Sequence, residues 1–200
     1  MKITETDLPG VRIIEPRVFR DERGYFLETW SQARYQEAGL PENMLQDNLS
    51  WSRRGVLRGL HFQHPSSQGK LVQVLAGQIF DVVVDVRLGS PHFGRWIGVD
   101  LSLENNRQLY IPEGFAHGFC VVSATALVTY KCSEVYRPDC EVGVAWNDPR
   151  IGVRWPIASP IISPKDAALH NLHDLTADLL PQYSQFADHE PVTRKRAHAA

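Results

Sequence analysis

The stretch "RWIGVDLSL", residues 95–103, alternates without a break. Ile97, Val99, Leu101 and Leu103 fall on one face of an extended chain, and Trp96, Gly98, Asp100 and Ser102 fall on the other. A period of two means a strand with one face against a core. Upstream, "QIFDVVVDVR" (78–87) sets Phe80, Val82, Val84 and Val86 against Asp81, Val83, Asp85 and Arg87. Carboxylates there line a face that is still partly apolar, as in a strand looking into a barrel cavity. The same rhythm recurs in "VRIIEPRVF" (11–19), "GYFLETW" (24–30), "NLSWS" (48–52), "KLVQVLAG" (70–77), "RQLYIP" (107–112), "GFCVV" (118–122) and "ALVTYKC" (126–132). Gly, Pro, Asn and Ser signals separate the runs. Helix is scarce: "SQARYQEAGL" (31–40) has Ser31 at the N-cap and Gly39 at the stop, and "PKDAALHNL" (164–172) carries a second short helix. The pattern predicts an all-β chain, an antiparallel sandwich or small barrel of jelly-roll type with minor helices.

With 200 residues, 43% apolar and 22% charged, the chain suits one ordinary globular core. A single domain is expected over residues 1–185, followed by a charged, disordered tail at 186–200 that ends "EPVTRKRAHAA". A net charge of -2 offers no general field for a polyanion, so nucleic acid is not an expected partner, although a local basic pocket still suits a small phosphorylated ligand. The start "MKITETDLPG" has no apolar h-region and no later run reaches membrane-helix length, so a soluble, cytoplasmic protein is expected. Cys120, Cys132 and Cys140 are odd in number and lack CxxC spacing, which fits a reducing compartment. Cys120 and Cys132 read as small buried hydrophobes.

The run "VLRGLHFQH" (56–64) puts a cation and two imidazoles into a buried strand. His61 is a satisfied core group, a metal ligand or a base. Histidines at i and i+3, as His61 and His64 are, point to opposite faces of a regular strand, and the next ionisable residue downstream is the cation Lys70. No metal site is expected. A lone histidine would be a core group, but Arg58, Lys70, His117, Tyr130 and Lys131 add more cationic and proton-transferring groups than packing would select. A ligand pocket accounts for them. Arg58 and His61 differ by an odd number, so sharing that pocket requires a bulge, which Gly59 permits.

The segments "RGYFLE" (23–28), "QDNLSWSRRGVLRGLHFQ" (46–63), "QGKLVQVLAGQIFDVVVDVRLGSPHFGRW" (68–96), "IPEGFAHGF" (111–119), "YKCSEVYRP" (130–138) and "SPKDA" (163–167) together resemble the dTDP-4-dehydrorhamnose 3,5-epimerases and related deoxysugar epimerases. The match runs in order from about residue 3 to about residue 180. It implies a cupin-type jelly roll that works as a homodimer without metal or other cofactor, on a dTDP-4-keto-6-deoxyhexose. By the resemblance His61 is the general base with Asp166 as its carboxylate partner, Tyr130 the general acid, and Lys70 the group that stabilises an enolate. Tyr136 stacks on thymine, and Arg23, Glu28, Gln46, Asn48, Arg58, His117, Glu141 and Lys165 contact the nucleotide, diphosphate or sugar. Pro164 stands where the family pattern has glutamate. On position alone Asp81 and Asp85 are rival partners for His61.

The implied chemistry needs these groups. C3 and C5 of the sugar both flank the C4 ketone, so inversion is deprotonation on one face and reprotonation on the other. An imidazole of ordinary pKa ~6.5 is largely neutral at cytoplasmic pH, a carboxylate fixes its tautomer, and a cation must hold the enolate. A phenol of ordinary pKa ~10 keeps its proton until the enolate is ready to receive it. The same residues serve a mono-epimerase acting at C3 or C5 only. A noncatalytic sugar-nucleotide binding module would have no need of His61 and Tyr130 together. A metal-dependent cupin oxygenase or isomerase is the third alternative.

Overall fold

The alternating stretch becomes one strand of a two-sheet sandwich in the computed structural model, which describes residues 1–40 and 43–186. The strands are β1 (Lys2–Glu5), β2 (Arg12–Glu15), β3 (Val18–Asp21), β4 (Gly24–Leu27), β5 (Gln46–Arg53), β6 (Leu57–Gln63), β7 (Lys70–Ala76), β8 (Gln78–Asp85), β9 (Trp96–Ser102), β10 (Gln108–Ile111), β11 (Phe115–Val121), β12 (Thr125–Cys132) and β13 (Glu141–Gly143). The first sheet has the order β1-β2-β10-β7-β12-β5, the second β13-β6-β11-β8-β9, and β3 and β4 form a separate hairpin. The strand pairings are antiparallel. This is the all-β, cupin-type jelly roll.

Between the sheets, Ile79 and Val83 of β8 and Val99 and Leu101 of β9 meet Val72 and Val74 of β7, Leu109 of β10 and Val128 of β12. Each such burial contributes ~1.5–3 kcal/mol. The opposite face of the second sheet is covered as well: Leu60, Phe62, Val82 and Val84 pack under Val144, Ile151, Leu172 and Leu180 of the C-terminal segment. That cover explains why "QIFDVVVDVR" is apolar on both faces. Its carboxylates face inward as expected, with Asp81 and Asp85 both fully buried. The outer face of the first sheet is only partly covered, where α1 (Gln32–Glu37) and the residues around it bring Tyr35 and Leu40 onto Ile14, Leu71 and Tyr110.

Some elements differ from expectation. "VRIIEPRVF" breaks into β2 and β3, because Pro16 has no N–H for a continuing ladder. The helix in "PKDAALHNL" is a single turn, α2 (Pro164–Ala167), followed by a 3-10 turn at Leu172–Asp174. β1 and β13 are additional short strands at sheet edges. Leu103 lies just past β9 and is exposed. Phe186 is buried, and the rest of the expected tail, 187–200, lies outside the described residues.

Candidate active site

The second sheet delivers histidines. His61 on β6 stands directly across from His117 on β11, and the register then slips so that Phe119 faces Arg58. The slip is the bulge that the odd spacing of Arg58 and His61 requires. Gly59 has φ +122°, and a Cβ there would lie 2.5 Å from the Gly118 Cα and 2.8 Å from the His117 carbonyl oxygen. Two glycines therefore let β6 and β11 approach where Leu60 and Phe62 turn to the outer core and His61 turns inward.

The first sheet supplies the facing wall. Tyr130 of β12 pairs in register with Asn48 of β5 and Val72 of β7, and Cys132 pairs with Gln46 and Lys70. Residues two apart share a face, so Gln46, Asn48, Lys70, Tyr130 and Cys132 all turn into one cavity of about 330 Å³ with Tyr136 and Glu141. A second cavity of about 450 Å³ is lined by Arg58, His117, Phe119 and Asp166 among others. His61, Lys70, Tyr130 and Lys165 line both, which joins them into one site.

α2 adds the carboxylate. Ser163 caps the turn by accepting the Asp166 N–H at 3.0 Å, and the Asp166 Oδ1 lies 2.8 Å from the His61 Nε2. Burial works against the Asp166 anion, but bonds from His61, the Gly59 N–H and Ser163 outweigh it and hold its carboxyl below the ordinary range. Of the rivals, Asp81 receives the His117 Nε2 at 2.9 and 3.0 Å, and Asp85 is bound by Arg87 and Ser90. Burial pushes the Asp81 carboxyl up and the Lys70 ammonium down, with Glu141 and Asp81 opposing the latter. Burial also raises the Tyr130 phenol.

A third group closes the smaller cavity. The Tyr136 hydroxyl donates to the Glu141 Oε2, which also accepts from the Lys165 Nζ at 2.5 Å. The hydrogen bond to Glu141 raises the Tyr136 phenol; burial opposes the Glu141 anion, yet the Lys165 and Tyr136 bonds keep its carboxyl low. The Gln46 side chain accepts the Tyr136 N–H at 2.8 Å and donates to Asn48 at 2.9 Å, which ties this loop to β5.

Three residues from the sequence reading lie elsewhere. Lys131 faces outward and pairs with Asp47 at 2.9 Å, because its odd position on β12 opposes Tyr130. Arg23 and Glu28 sit at the β3–β4 hairpin, bonded to Asp21 and Arg34, and line neither cavity. Conversely, Phe119 and Cys132 enter the site unforeseen, although each is two residues from a named site residue and parity alone would have found it. Among the described residues, no cluster of three His, Cys, Asp or Glu side chains is arranged to hold a metal ion.

The site thus opposes a carboxylate-supported imidazole on one sheet to a phenol and a half-buried ammonium on the other. The family model described as dTDP-4-dehydrorhamnose 3,5-epimerase matches residues 5–174. The dTDP-4-dehydrorhamnose 3,5-epimerase of Methanothermobacter thermautotrophicus is 54% identical over 168 residues, 82% of this chain and 91% of that protein. The enzyme of that name from Neisseria gonorrhoeae is 51% identical over 84% of this chain, which spans about half, 52%, of that longer protein. Among solved structures, the dTDP-6-deoxy-D-glucose-3,5-epimerase of Legionella pneumophila Philadelphia 1, in complex with dTDP-4-keto-L-rhamnose, superposes with a TM-score of 0.89. It is 50% identical and the match covers 91% of this chain and 98% of that one. Sequence, fold and this pairing of walls agree: the chain belongs to the dTDP-4-dehydrorhamnose 3,5-epimerase family.

Proposed function

We propose that this protein inverts C3 and C5 of dTDP-4-dehydro-6-deoxy-D-glucose, giving dTDP-4-dehydro-L-rhamnose for dTDP-L-rhamnose synthesis, without a cofactor. The observation that carries the reading is the placement of His61 and Tyr130 on opposite sheets across one cavity, with Lys70 beside them. His61 takes the proton from the carbon next to the ketone, and its imidazolium is stabilised by Asp166. The C–H electron pair becomes the enolate, whose oxygen Lys70 stabilises. Tyr130 returns a proton from the other side, and the enolate electrons form the new C–H bond. Both carbons flank one ketone, so one set of groups serves both.

Tyr136, Gln46, Asn48 and Glu141 line the smaller cavity and suit the thymidine; Lys165, Arg58 and His117 supply donors for diphosphate and sugar. Residues 1–185 carry this activity as one domain. The working unit is a homodimer in the cytoplasm. Leu49, Trp51 and Leu75 are 64%, 63% and 40% exposed on the uncovered face of the first sheet, an apolar face that suits a partner protomer. The exposed β3–β4 hairpin carries Arg23 and Glu28 away from their own cavity, which suits delivery to a partner's. Among the described residues no helix is long and apolar enough to cross a membrane.

Proton NMR of the 4-keto substrate in D2O with the full chain tests the reaction. Deuterium entry at both C3 and C5 with product formation is expected. Entry at one carbon alone would instead identify a mono-epimerase, and entry at neither a binding module.

A further inference from the structure

Lys70 stands at the end of a sheet ladder. It is the first residue of β7, paired with Ile111 of β10 and with Cys132, the last residue of β12. The next pair outward, Gly69 and Ser133, completes only half a ladder step. The Ser133 N–H donates to the Gly69 carbonyl at 2.9 Å, but the Gly69 N–H donates to the Ser133 Oγ at 2.8 Å, so a side chain takes the place of a backbone acceptor. Ser133 has one hydroxyl proton. It goes to the Glu113 Oε1 at 2.9 Å, which leaves an oxygen lone pair turned to Gly69, and the carboxylate acceptor strengthens the bond and fixes the rotor. Glu113 lies in the turn between β10 and β11 and lines a separate cavity of about 230 Å³ with Arg12 and Tyr110. Neither Glu113 nor Ser133 lines the two cavities of the active site. Any effect they have on the reaction therefore runs through the backbone they hold.

We propose that Glu113 and Ser133 are positioning residues for Lys70, anchoring the backbone just before the lysine so that its ammonium meets the enolate oxygen. The proposal rests on the function proposed above. A lysine carries its charge on a flexible four-carbon stem, so where the charge sits depends on how firmly the stem is rooted. Strand pairing holds that root from Lys70 onward. Before it runs the connection 64–69, whose side-chain ties lead to another loop: the Gln63 Nε2 donates to the Val135 carbonyl at 3.3 Å and the Gln68 Nε2 to the Glu134 carbonyl at 2.7 Å. Gly69 is the point where this connection is fastened to the sheet, and Ser133 is the fastener. Tyr136 has ties of its own to Gln46 and Glu141, so the nucleotide end of the site does not depend on the clasp. Stabilisation of a developing charge needs its donor in place beforehand, so a loosened root lowers kcat and spares nucleotide binding.

Turnover of the 4-keto substrate and titration with dTDP, both on the full chain, test the proposal. Ser133→Ala and Glu113→Ala are each expected to lower kcat about 5-fold or more while dTDP affinity stays within about 2-fold of the parent. Ser133→Thr, which keeps the hydroxyl, is expected to recover most of the kcat that Ser133→Ala loses. Placed on Lys70→Met, the same two Ala substitutions should cost less than about 2-fold further, because the group they position is gone. An unchanged kcat in both single variants, a fall in dTDP affinity that matches the fall in kcat, or a full loss repeated on Lys70→Met would each overturn the proposal while leaving the epimerase reading in place. No exchange at C3 or C5 by the parent protein would overturn that reading, and this proposal with it.

Discussion

Burial acts in opposite directions on two proton carriers of the first sheet. It lowers the Lys70 ammonium and raises the Tyr130 phenol, so on raising the pH the lysine loses its proton before its ordinary value of ~10.4 is reached, while the phenol holds on. The alkaline limb of kcat/KM should therefore fall below pH ~10.4 and belong to Lys70. A pH–rate profile checks this; a flat profile to that pH would contradict it. Lys70→Met should cost roughly 10²–10³-fold in kcat while melting close to the parent, because a half-buried charge is replaced by an apolar side chain of similar length. Asp166 has the other sign. Its carboxyl is depressed on folding, so its contribution to stability is complete above the ordinary carboxylate value of ~3.9 and is lost as pH falls through the lower folded value. Asp166→Asn should lose on the order of 10²–10⁴-fold in kcat and show a shallower acid dependence of the melting temperature. Which carboxylate serves His61 was open on position alone, since Asp81, Asp85 and Asp166 all qualify. Only the folded chain brings residues 61 and 166, far apart in sequence, to hydrogen-bond distance.

The strands were legible because their faces differ. In β9 the inward Val99 and Leu101 alternate with exposed Gly98 and Asp100 as the sequence pattern predicts, but the alternation ends there: Ser102 is buried and Leu103, past the strand, is exposed. β8 was harder, since Val82 and Val84 are covered by a C-terminal segment that no local pattern announces. The helix in residues 164–172 was overextended because good helix formers follow Pro164, yet Asp166 and its neighbours are held by strand β6 rather than by a continuing helix. The bulge in β6 was legible from parity and Gly59. That position leaves no room for a side chain: φ is +122° and the neighbouring backbone of β11 is already in contact. Gly59→Ala should destabilise the fold by roughly 2–3 kcal/mol or more and impair kcat as well, since His61 follows two residues later. Urea unfolding and kcat of the same sample check both; an unchanged midpoint would contradict the close approach.

Two sheets that each look ordinary alone become a site when they close on each other, and in the proposed mechanism each supplies one half of the proton traffic. The proposed homodimer would use the outer face of the first sheet. Trp51→Glu, on the exposed patch of β5, should yield monomers by light scattering and a loss of kcat/KM of about 10-fold or more, as Arg23 and Glu28 are withdrawn from the partner's cavity. A fully active monomer would contradict that arrangement. The proposed assembly has little trace in the residues of the sheet, since an exposed Leu or Trp on a strand reads the same whether or not a partner covers it. The measurement that bears most directly on the account is deuterium exchange at C3 and C5 of the 4-keto substrate, compared between the parent, His61→Ala and Tyr130→Phe. The two-walled mechanism predicts no exchange at either carbon with His61→Ala, and with Tyr130→Phe a loss of inverted product that exceeds the loss of exchange. Full exchange by His61→Ala would contradict it.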